Sequence, residues 1–329
     1  MDHLLQGELA HRVSVVIPAR NEAHNLPHVL GSLPSGLHEV ILVDGHSIDG
    51  TIEAALQLKP DMKIVQQTRS GKGNALACGF AELTGDIVVM LDADGSADPG
   101  EIPAFVAALS AGAEFAKGTR FDRGGRSDDI TRFRRTGNSI LNRLVNLLFD
   151  THYTDLCYGY NAFRVHLLPT LRLPPVQPAD DSPESMMWGD GFEIETLINV
   201  RVAKSGARIT EVGSVELPRL HGASNLKAIP DGIRVLRTIL AERYRSHLEQ
   251  ATPPGQAPVK QETAAEPTPD RRRGADMNSG TGMNNSTDMN NSPADPRRPH
   301  RHRQPAPGLN GTRVGWPAWR SPKTRVRKG

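Results

Sequence analysis

The segment Ile87-Val88-Val89-Met90-Leu91-Asp92-Ala93-Asp94 decides the fold class of this chain. Its uninterrupted apolar run ends abruptly at two aspartates, which is typical of a strand that is buried on both faces of a parallel sheet. Similar runs occur at 13–17, 40–43, 63–65 and 114–117. Helical segments that separate these runs are predicted at 25–33, 50–58, 72–83 and 99–111. This alternation predicts an α/β domain with a mostly parallel central sheet and flanking helices.

The second half of the chain is less regular than the first. Apolar residues recur at helical spacing over 130–149, 192–204 and 233–244, and a further strand is predicted near 207–212. These segments carry enough apolar residues to complete the core of a single large domain.

The formal net charge of +2 combines two parts of opposite sign. Residues 251–329 hold 14 of the 39 Lys and Arg residues and 6 of the 37 Asp and Glu residues, which makes this part +8 and leaves −6 for residues 1–250. The same stretch holds 12 of the 25 prolines and lacks Ile, Phe and Tyr. We therefore expect one folded domain over 1–250 and a disordered basic tail over 251–329.

The overall charge balance argues against a uniformly basic nucleic-acid-binding protein, so we expect no specific nucleic-acid partner. The basic tail leaves three alternatives open: contact with anionic lipid headgroups, weak binding to RNA, or no partner. Two distant cysteines, Cys78 and Cys157, predict neither a disulfide framework nor a cysteine zinc site. Without a signal-peptide pattern or a long apolar run, we expect a cytoplasmic protein with peripheral contact at the inner face of the membrane.

Polar residues follow the predicted strands at the points where they end. Carboxyl ends of parallel strands meet at one edge of a sheet, where α/β proteins bind their ligands. The residues at this edge are Pro18, Arg20 and Glu22 after the first strand, Asp44 after the second, Asp92 and Asp94 after the fourth, and Arg120 after the fifth. The sequence contains neither a dinucleotide-binding fingerprint nor a P-loop, so a nucleotide bound at this edge would have its phosphates held by other residues.

Asp92 and Asp94 are the sharpest chemical feature of the sequence. Alternate residues of an extended chain share one side, so the two carboxylates come close together. A divalent Mg²⁺ or Mn²⁺ that also binds substrate phosphate oxygens would offset their repulsion. The competing interpretation is a turn that caps the next helix.

Three segments in order carry a resemblance to a known family. The chain has Val13-Ser14-Val15-Val16-Ile17-Pro18-Ala19-Arg20-Asn21-Glu22, then Val43-Asp44-Gly45-His46-Ser47-Ile48-Asp49-Gly50-Thr51, then Met90-Leu91-Asp92-Ala93-Asp94. This series resembles the family 2 glycosyltransferases of GT-A (Rossmann-like) fold, and is most similar to the polyprenyl-phosphate (dolichyl-phosphate) mannosyltransferase group. The segments 118–121, 154–164 and 219–226 resemble later motifs of that group, so the match spans about 12–240.

The resemblance, taken with the chemistry, implies an inverting hexosyltransferase that uses a GDP- or UDP-sugar donor, Mg²⁺ or Mn²⁺, and a polyprenyl phosphate acceptor. The expected catalytic residues are Asp92, Asp94, Arg120 and Arg219, and the expected metal ligands are Asp92 and Asp94. Donor binding is expected of Pro18, Arg20, Glu22, Asp44, Lys72 and Asp92. Acceptor phosphate binding is expected of Arg120, Arg132, Arg134, Arg135 and Ser224.

The class of acceptor decides whether a general base is needed. A lipid phosphate is already ionised at neutral pH, so arginines that position it would suffice. A sugar hydroxyl would need a carboxylate base, for which Asp190 and Glu193 are the candidates. A third alternative is a non-catalytic module that binds a nucleotide sugar. The arginines could also form a solvated helix face, and Asp155 could either orient an arginine or stabilise a turn.

Overall fold

The computed structural model describes residues 11–176, 186–222 and 226–251. The elements in these ranges are β1 (Val13–Ala19), α1 (Leu26–Gly31), β2 (Glu39–Asp44), α2 (Thr51–Leu58), β3 (Lys63–Gln66), α3 (Lys72–Ala81), β4 (Ile87–Met90), α4 (Ile102–Ser110), β5 (Phe115–Thr119), β6 (Arg126–Ser127), α5 (Arg132–Phe149), β7 (Asn161–Arg164), α6 (Leu168–Leu171), α7 (Ile194–Lys204), β8 (Ile209–Gly213), β9 (Val215–Glu216) and α8 (Ala228–Ala251).

The central sheet has seven strands in the order β3-β2-β1-β4-β7-β5-β8. β1 is parallel to β2 and to β4, with Val13 opposite Ile87 in the second pair. β7 runs antiparallel to both of its neighbours, and the remaining pairs are parallel. Two short strands, β6 and β9, form a separate parallel pair. The predicted mostly parallel sheet with flanking helices is therefore confirmed.

Both faces of the sheet are covered, which explains the uninterrupted apolar run of β4. Ile87 and Val89 belong to one apolar core, whereas Val88 and Met90 belong to the core on the opposite face. All four side chains are fully or almost fully buried. Because each face needs an apolar side chain, the polar alternation of a half-exposed strand cannot occur here.

The strand β7 was not predicted from the sequence. It contains only four residues, and Asn161 and Arg164 stand at its two ends, so it lacks a clear apolar signal. It is nevertheless central, because it joins β4 to β5 across the sheet. Its place in the sheet depends on pairing with remote strands rather than on local preference.

The irregular second half builds a third apolar cluster. Residues from α5, α7 and α8 meet there, including Val145, Val200, Val235 and Ile239. α8 extends well beyond the predicted helix at 233–244. The predicted domain boundary at 250 stays a prediction, because α8 is described to Ala251 and the tail predicted for 251–329 lies outside the described residues apart from Ala251. In the described ranges, no helix combines the length and apolar composition that a bilayer span requires.

Candidate active site

A cavity of about 270 Å³ lies at the carboxyl ends of β1 and β4. β1 has its sequence neighbour β2 on one side and β4 on the other, so the cavity lies at the topological switch point of the sheet. Its wall is formed by the loops after β1 and β4, the start of α3, Gln67 after β3, Phe192 before α7 and Arg219 after β9. The lining residues are Pro18, Ala19, Arg20, Glu22, Gln67, Gly71, Lys72, Ala75, Asp92, Ala93, Asp94, Phe192 and Arg219.

Asp92 and Asp94 both line this cavity. Leu91 and Ala93 pack into the apolar core, and the chain turns directly after β4, at Ala93 and Asp94. The side chains of Asp92 and Asp94 are 36% and 23% exposed. The two aspartates are therefore held by the core and remain accessible from the cavity.

Lys72 lies between two carboxylates. Its Nζ is 2.6 Å from Asp92 Oδ1 and 2.7 Å from Glu195 Oε1. Burial alone would lower the pKa of Lys72, but the two carboxylates raise it well above its ordinary value. Lys72 is therefore a charged ammonium group at the cavity wall. Burial raises the pKa of Glu195, and the ammonium of Lys72 opposes that rise.

Arg219 connects the loops that follow β1 and β4. Its Nη2 is 2.5 Å from Glu22 Oε1, and its Nη1 is 3.3 Å from Asp94 Oδ2. Asn25 donates a second hydrogen bond to the Glu22 carboxylate at 2.6 Å. Burial raises the pKa of Glu22, while the hydrogen bonds from Asn25 and Arg219 oppose this. Arg219 thus places a positive charge beside Asp94, as Lys72 does beside Asp92.

The donor set of this cavity fits a hard divalent cation. No group of three or more His, Cys, Asp or Glu side chains with the arrangement of a metal site occurs within the described ranges. Asp92 and Asp94 nevertheless supply carboxylate oxygens beside open space, and Mg²⁺ or Mn²⁺ binds one or two carboxylates with phosphate oxygens and water. Each carboxylate is bonded to a cationic side chain, as expected of a pair whose charge needs compensation.

Two glycines allow the start of α3 to approach the loop at 189–190. A Cβ at Gly73 would lie 1.8 Å from the Gly189 oxygen, and one at Gly71 would lie 2.1 Å from the Asp190 oxygen. Gly71 also has a φ of +114°. The Gly73 amide donates to the Asp190 oxygen at 2.7 Å. This close contact sets the position of Lys72, the first residue of the helix.

Asp44 does not line the cavity, although it ends the neighbouring strand β2. It is 1% exposed and accepts hydrogen bonds from the Ser47 amide at 3.1 Å and from Gln66 Nε2 at 3.0 Å. These bonds are those of a side chain that stabilises a turn. By contrast, Pro18 and Arg20 lie in the cavity wall as expected of donor-binding candidates.

The model of the glycosyl transferase family 2 matches residues 14–172. The chain is 30% identical over 236 residues to glycosyltransferase AglJ of Haloferax volcanii, covering 71% of this chain and 71% of that protein. It is also 30% identical over 245 residues to an undecaprenyl-phosphate mannosyltransferase of Micrococcus luteus, covering 71% of this chain and 96% of that protein. The chain belongs to glycosyl transferase family 2. It is an enzyme of the glycosyltransferase class, as the motifs predicted.

A solved structure shares the fold. The crystal structure of glucosyl-3-phosphoglycerate synthase from Mycobacterium tuberculosis, in complex with Mn²⁺, uridine diphosphate and phosphoglyceric acid, matches with a TM-score of 0.55. The match covers 73% of this chain and 81% of that chain at 22% identity. The GT-A-like architecture expected of the family is therefore confirmed.

In this family 2 enzyme, Arg120 does not reach the cavity. It is 4% exposed, and its Nε and Nη2 donate to the two oxygens of Asp155 at 2.6 and 2.9 Å. Its Nη1 donates to Glu216 Oε1 at 2.8 Å. The arginine expected to bind acceptor phosphate is thus engaged by two buried carboxylates. For Asp155, the structure shows the arginine-orienting arrangement that the sequence left undecided.

The arginines at the start of α5 also lie outside the cavity lining. Arg132 and Arg135 are exposed, and the Arg134 Nη1 is 3.2 Å from Asp129 Oδ2. The Arg135 guanidinium lies 5.2 Å from the centre of the Phe121 ring. Ser224, the last candidate for the acceptor phosphate, lies outside the described residues. Of the acceptor candidates in the described ranges, none lines the cavity.

Both candidate general bases are buried away from the cavity surface. Asp190 is fully buried, and Arg69 binds its two oxygens at 2.8 and 3.0 Å. Glu193 is 4% exposed and accepts hydrogen bonds from the Gly189 and Gly191 amides. Neither carboxylate lines the cavity, so neither is placed to accept a proton from a bound hydroxyl.

Sequence reasoning missed Glu195, which holds Lys72 from the side opposite Asp92. Asp190, Glu193 and Glu195 are close in sequence, and the first two are the candidates that the sequence offers. The sequence does not distinguish them, because the direction of each side chain depends on how α7 packs. Glu193 and Glu195 lie about one helical turn before the buried residues Leu197 and Ile198. This spacing is the signal in the sequence that could have identified Glu195.

Proposed function

We propose that this family 2 glycosyltransferase moves a sugar, with inversion, from a nucleoside-diphosphate sugar to a polyprenyl phosphate, with the help of a divalent cation. The observation that carries the proposal is a cavity that holds two accessible carboxylates and three basic side chains but lacks either candidate base. The basic side chains are Arg20, Lys72 and Arg219. The name of the Micrococcus luteus relative supports the acceptor class.

The donor diphosphate occupies the part of the cavity beside Asp92 and Asp94. A divalent cation held by these carboxylates would offset the negative charge that grows on the leaving nucleoside diphosphate. Lys72 and Arg219, which bond these carboxylates, are placed to bind diphosphate oxygens when the donor enters. Arg20 and Pro18 form the wall on the side of β1 and would contact the nucleoside.

The acceptor phosphate brings its own nucleophile. An ionised phosphate oxygen attacks the anomeric carbon of the sugar, the bond from that carbon to the donor diphosphate oxygen breaks, and the nucleoside diphosphate leaves with the bonding electrons. No proton has to be removed, so the burial of Asp190 and Glu193 does not impede this step. A single displacement of this kind inverts the anomeric configuration.

The test is a matrix of donors and acceptors with the full-length chain. GDP- and UDP-linked sugars are incubated with and without polyprenyl phosphate, in Mg²⁺, in Mn²⁺ and in chelator, while nucleotide release and sugar in the organic phase are measured. We expect transfer only with the lipid phosphate and a divalent cation, with the base preference read from the donor series.

Two outcomes would contradict the proposal. Equal transfer to lipid-free hydroxyl acceptors would show a glycosyltransferase of small molecules or glycans, and would require a base other than the buried candidates. Donor binding without turnover on any acceptor would show a nucleotide-sugar binding module.

Peripheral contact with the inner face of the membrane belongs to the same proposal, because the acceptor lipid resides there.

A further inference from the structure

The helix α5 exposes an apolar stripe on the side away from the core. Phe133, Ile140 and Leu147 are 65%, 59% and 82% exposed, and they follow one another at intervals of seven residues. This spacing places them on one face of the helix. Asn142 and Val145 are buried on another face. α5 is therefore apolar on a side that nothing in the described structure covers.

The helix α8 shows a second apolar stripe. Its buried face includes Val235 and Ile239, which pack into the cluster shared with α5. Another face carries five exposed apolar or aromatic side chains at intervals of three or four residues: Ile229, Ile233, Leu236, Leu240 and Tyr244. A surface helix of a soluble domain normally has one apolar face, so the second face needs an explanation.

The charges around both stripes have one sign. α5 contains four arginines and no Asp or Glu in its 18 residues. In the part of α8 whose side chains are described, Asp231 and Glu242 are buried, whereas Arg234, Arg237 and Arg245 are exposed. On α5, and on α8 as far as Ser246, the exposed apolar side chains thus stand among exposed arginines, and the described carboxylates of this part of α8 are buried.

Chain connections bring both helices close to the cavity. Ser127, just before α5, donates a hydrogen bond to Glu216, the last residue of β9. Arg219 lies three residues after the end of β9 and lines the cavity. α8 begins soon after Arg219, and α5 and α8 pack against each other.

We propose that these two stripes, Phe133, Ile140 and Leu147 of α5 with Ile229, Ile233, Leu236, Leu240 and Tyr244 of α8, form a docking face for an anionic lipid bilayer. The apolar side chains enter the interface between headgroups and acyl chains, and the arginines bind headgroup phosphates. A second copy of the chain is disfavoured, because a symmetric contact through this face would oppose arginines to arginines. The docking face deepens the peripheral membrane contact of the proposed function and rests on that part of it, while its test is separate from the transfer reaction.

The test measures binding of the full-length chain to vesicles of phosphatidylcholine with phosphatidylglycerol, without nucleotide sugar or polyprenyl phosphate. The variant is Ile140→Gln with Leu147→Gln. The matched control is Leu56→Gln with Leu58→Gln on α2, where both leucines are also exposed. The basic tail is present in every chain, so its contribution is the same throughout. We expect the partition coefficient of the α5 variant to fall at least about tenfold, and that of the control to stay unchanged.

Equal vesicle binding by the α5 variant and the wild type would overturn the proposal. So would a wild-type dimer, seen by sedimentation, that the α5 variant dissociates without losing vesicle binding. A second measurement needs no substitution: hydrogen exchange of the wild-type chain with and without vesicles. We expect added protection in peptides from 132–149 and 228–251, and its absence there would also overturn the proposal. Because neither assay contains donor or acceptor, failure of the proposed transfer reaction leaves both readouts intact.

Discussion

Two groups of ion pairs in this enzyme use the same side-chain chemistry in different surroundings. At the cavity, Lys72 pairs with Asp92 and Arg219 pairs with Asp94, and these carboxylates are 36% and 23% exposed. Behind the cavity wall, Arg120 pairs with Asp155 and Glu216, whose side chains are 0% and 9% exposed. The accessible pairs can exchange partners with a ligand, whereas the buried pairs stabilise the fold. Solvent exposure, rather than residue type, therefore distinguishes the ion pairs that could bind a ligand from those that stabilise the fold.

The comparison predicts that Asp94→Asn removes activity and leaves stability nearly unchanged. We expect kcat to fall about 10⁴-fold, because the lost carboxylate would weaken cation binding at the developing charge, an effect of about 5 kcal/mol. Thermal unfolding should match the wild type. The control is Asp98→Asn, an exposed aspartate on the same loop, which should stay active. Full activity of Asp94→Asn would show that the Asp94 carboxylate is not needed to bind the cation.

Arg120→Leu should have the opposite profile, with stability lost first. The substitution leaves Asp155 and Glu216 buried without their cation, which costs about 3–5 kcal/mol. Urea unfolding measures the change. Arg126→Leu removes an arginine from an exposed pair with Asp128 and should produce no resolvable shift. If Arg120→Leu were as stable as the wild type but did not transfer sugar, Arg120 would have a role in the reaction at the cavity rather than in stability.

The pH dependence sharpens the same contrast. Burial would raise the pKa of Asp155, but Arg120 lowers it below its ordinary value. The pair therefore contributes fully above about pH 4, the ordinary carboxyl range, and its contribution is lost as pH falls through the lowered pKa. In Arg120→Leu the buried carboxyl would instead favour its proton. The stability difference between wild type and variant should shrink in acid, and a constant difference would argue against this linkage.

Lys72→Met should reduce kcat/KM about 100-fold, because one cation beside the donor diphosphate is lost. Stability should change less than in Arg120→Leu, because one of the two carboxylates that lose their partner, Asp92, is 36% exposed and can be solvated. Lys63→Met, which alters an exposed pair with Glu82, is the matched control and should keep full activity. Comparable losses in both variants would indicate a general effect of charge.

The smallest effect is expected from Gly73→Ala. Its Cβ would lie 1.8 Å from the Gly189 oxygen, so the start of α3 has to move. We expect a loss of about 2 kcal/mol in unfolding free energy, with an altered KM for the donor as Lys72 shifts. Gly31→Ala, where a Cβ meets nothing within 4 Å, should be neutral. If Gly73→Ala left the unfolding free energy unchanged, the backbone at Gly73 and Gly189 could move apart at little cost.

The regular first half could be read from the sequence with little loss. The strands β1 to β4 alternate with helices, and residues that follow β1, β3 and β4 line the cavity. The four-residue strand β7 could not be predicted from the sequence. Its position in the sheet depends on pairing with β4 and β5, and its own residues show no strand pattern. Local periodicity predicts an element only where that element is long enough to show it.

The sequence alone determined the mostly parallel arrangement of β1 to β4, the pairing of Asp92 with Asp94 at one edge of the sheet, and the family, because these follow from the alternation of strands with helices and from motifs in order. Only the tertiary structure decided which cations face the cavity. Arg120 and Arg219 look equivalent as sequence candidates, yet Asp155 and Glu216 bury the first while the second joins Glu22 to Asp94. Solvent exposure depends on partners that are remote in the chain, and it decides which charges can meet a ligand.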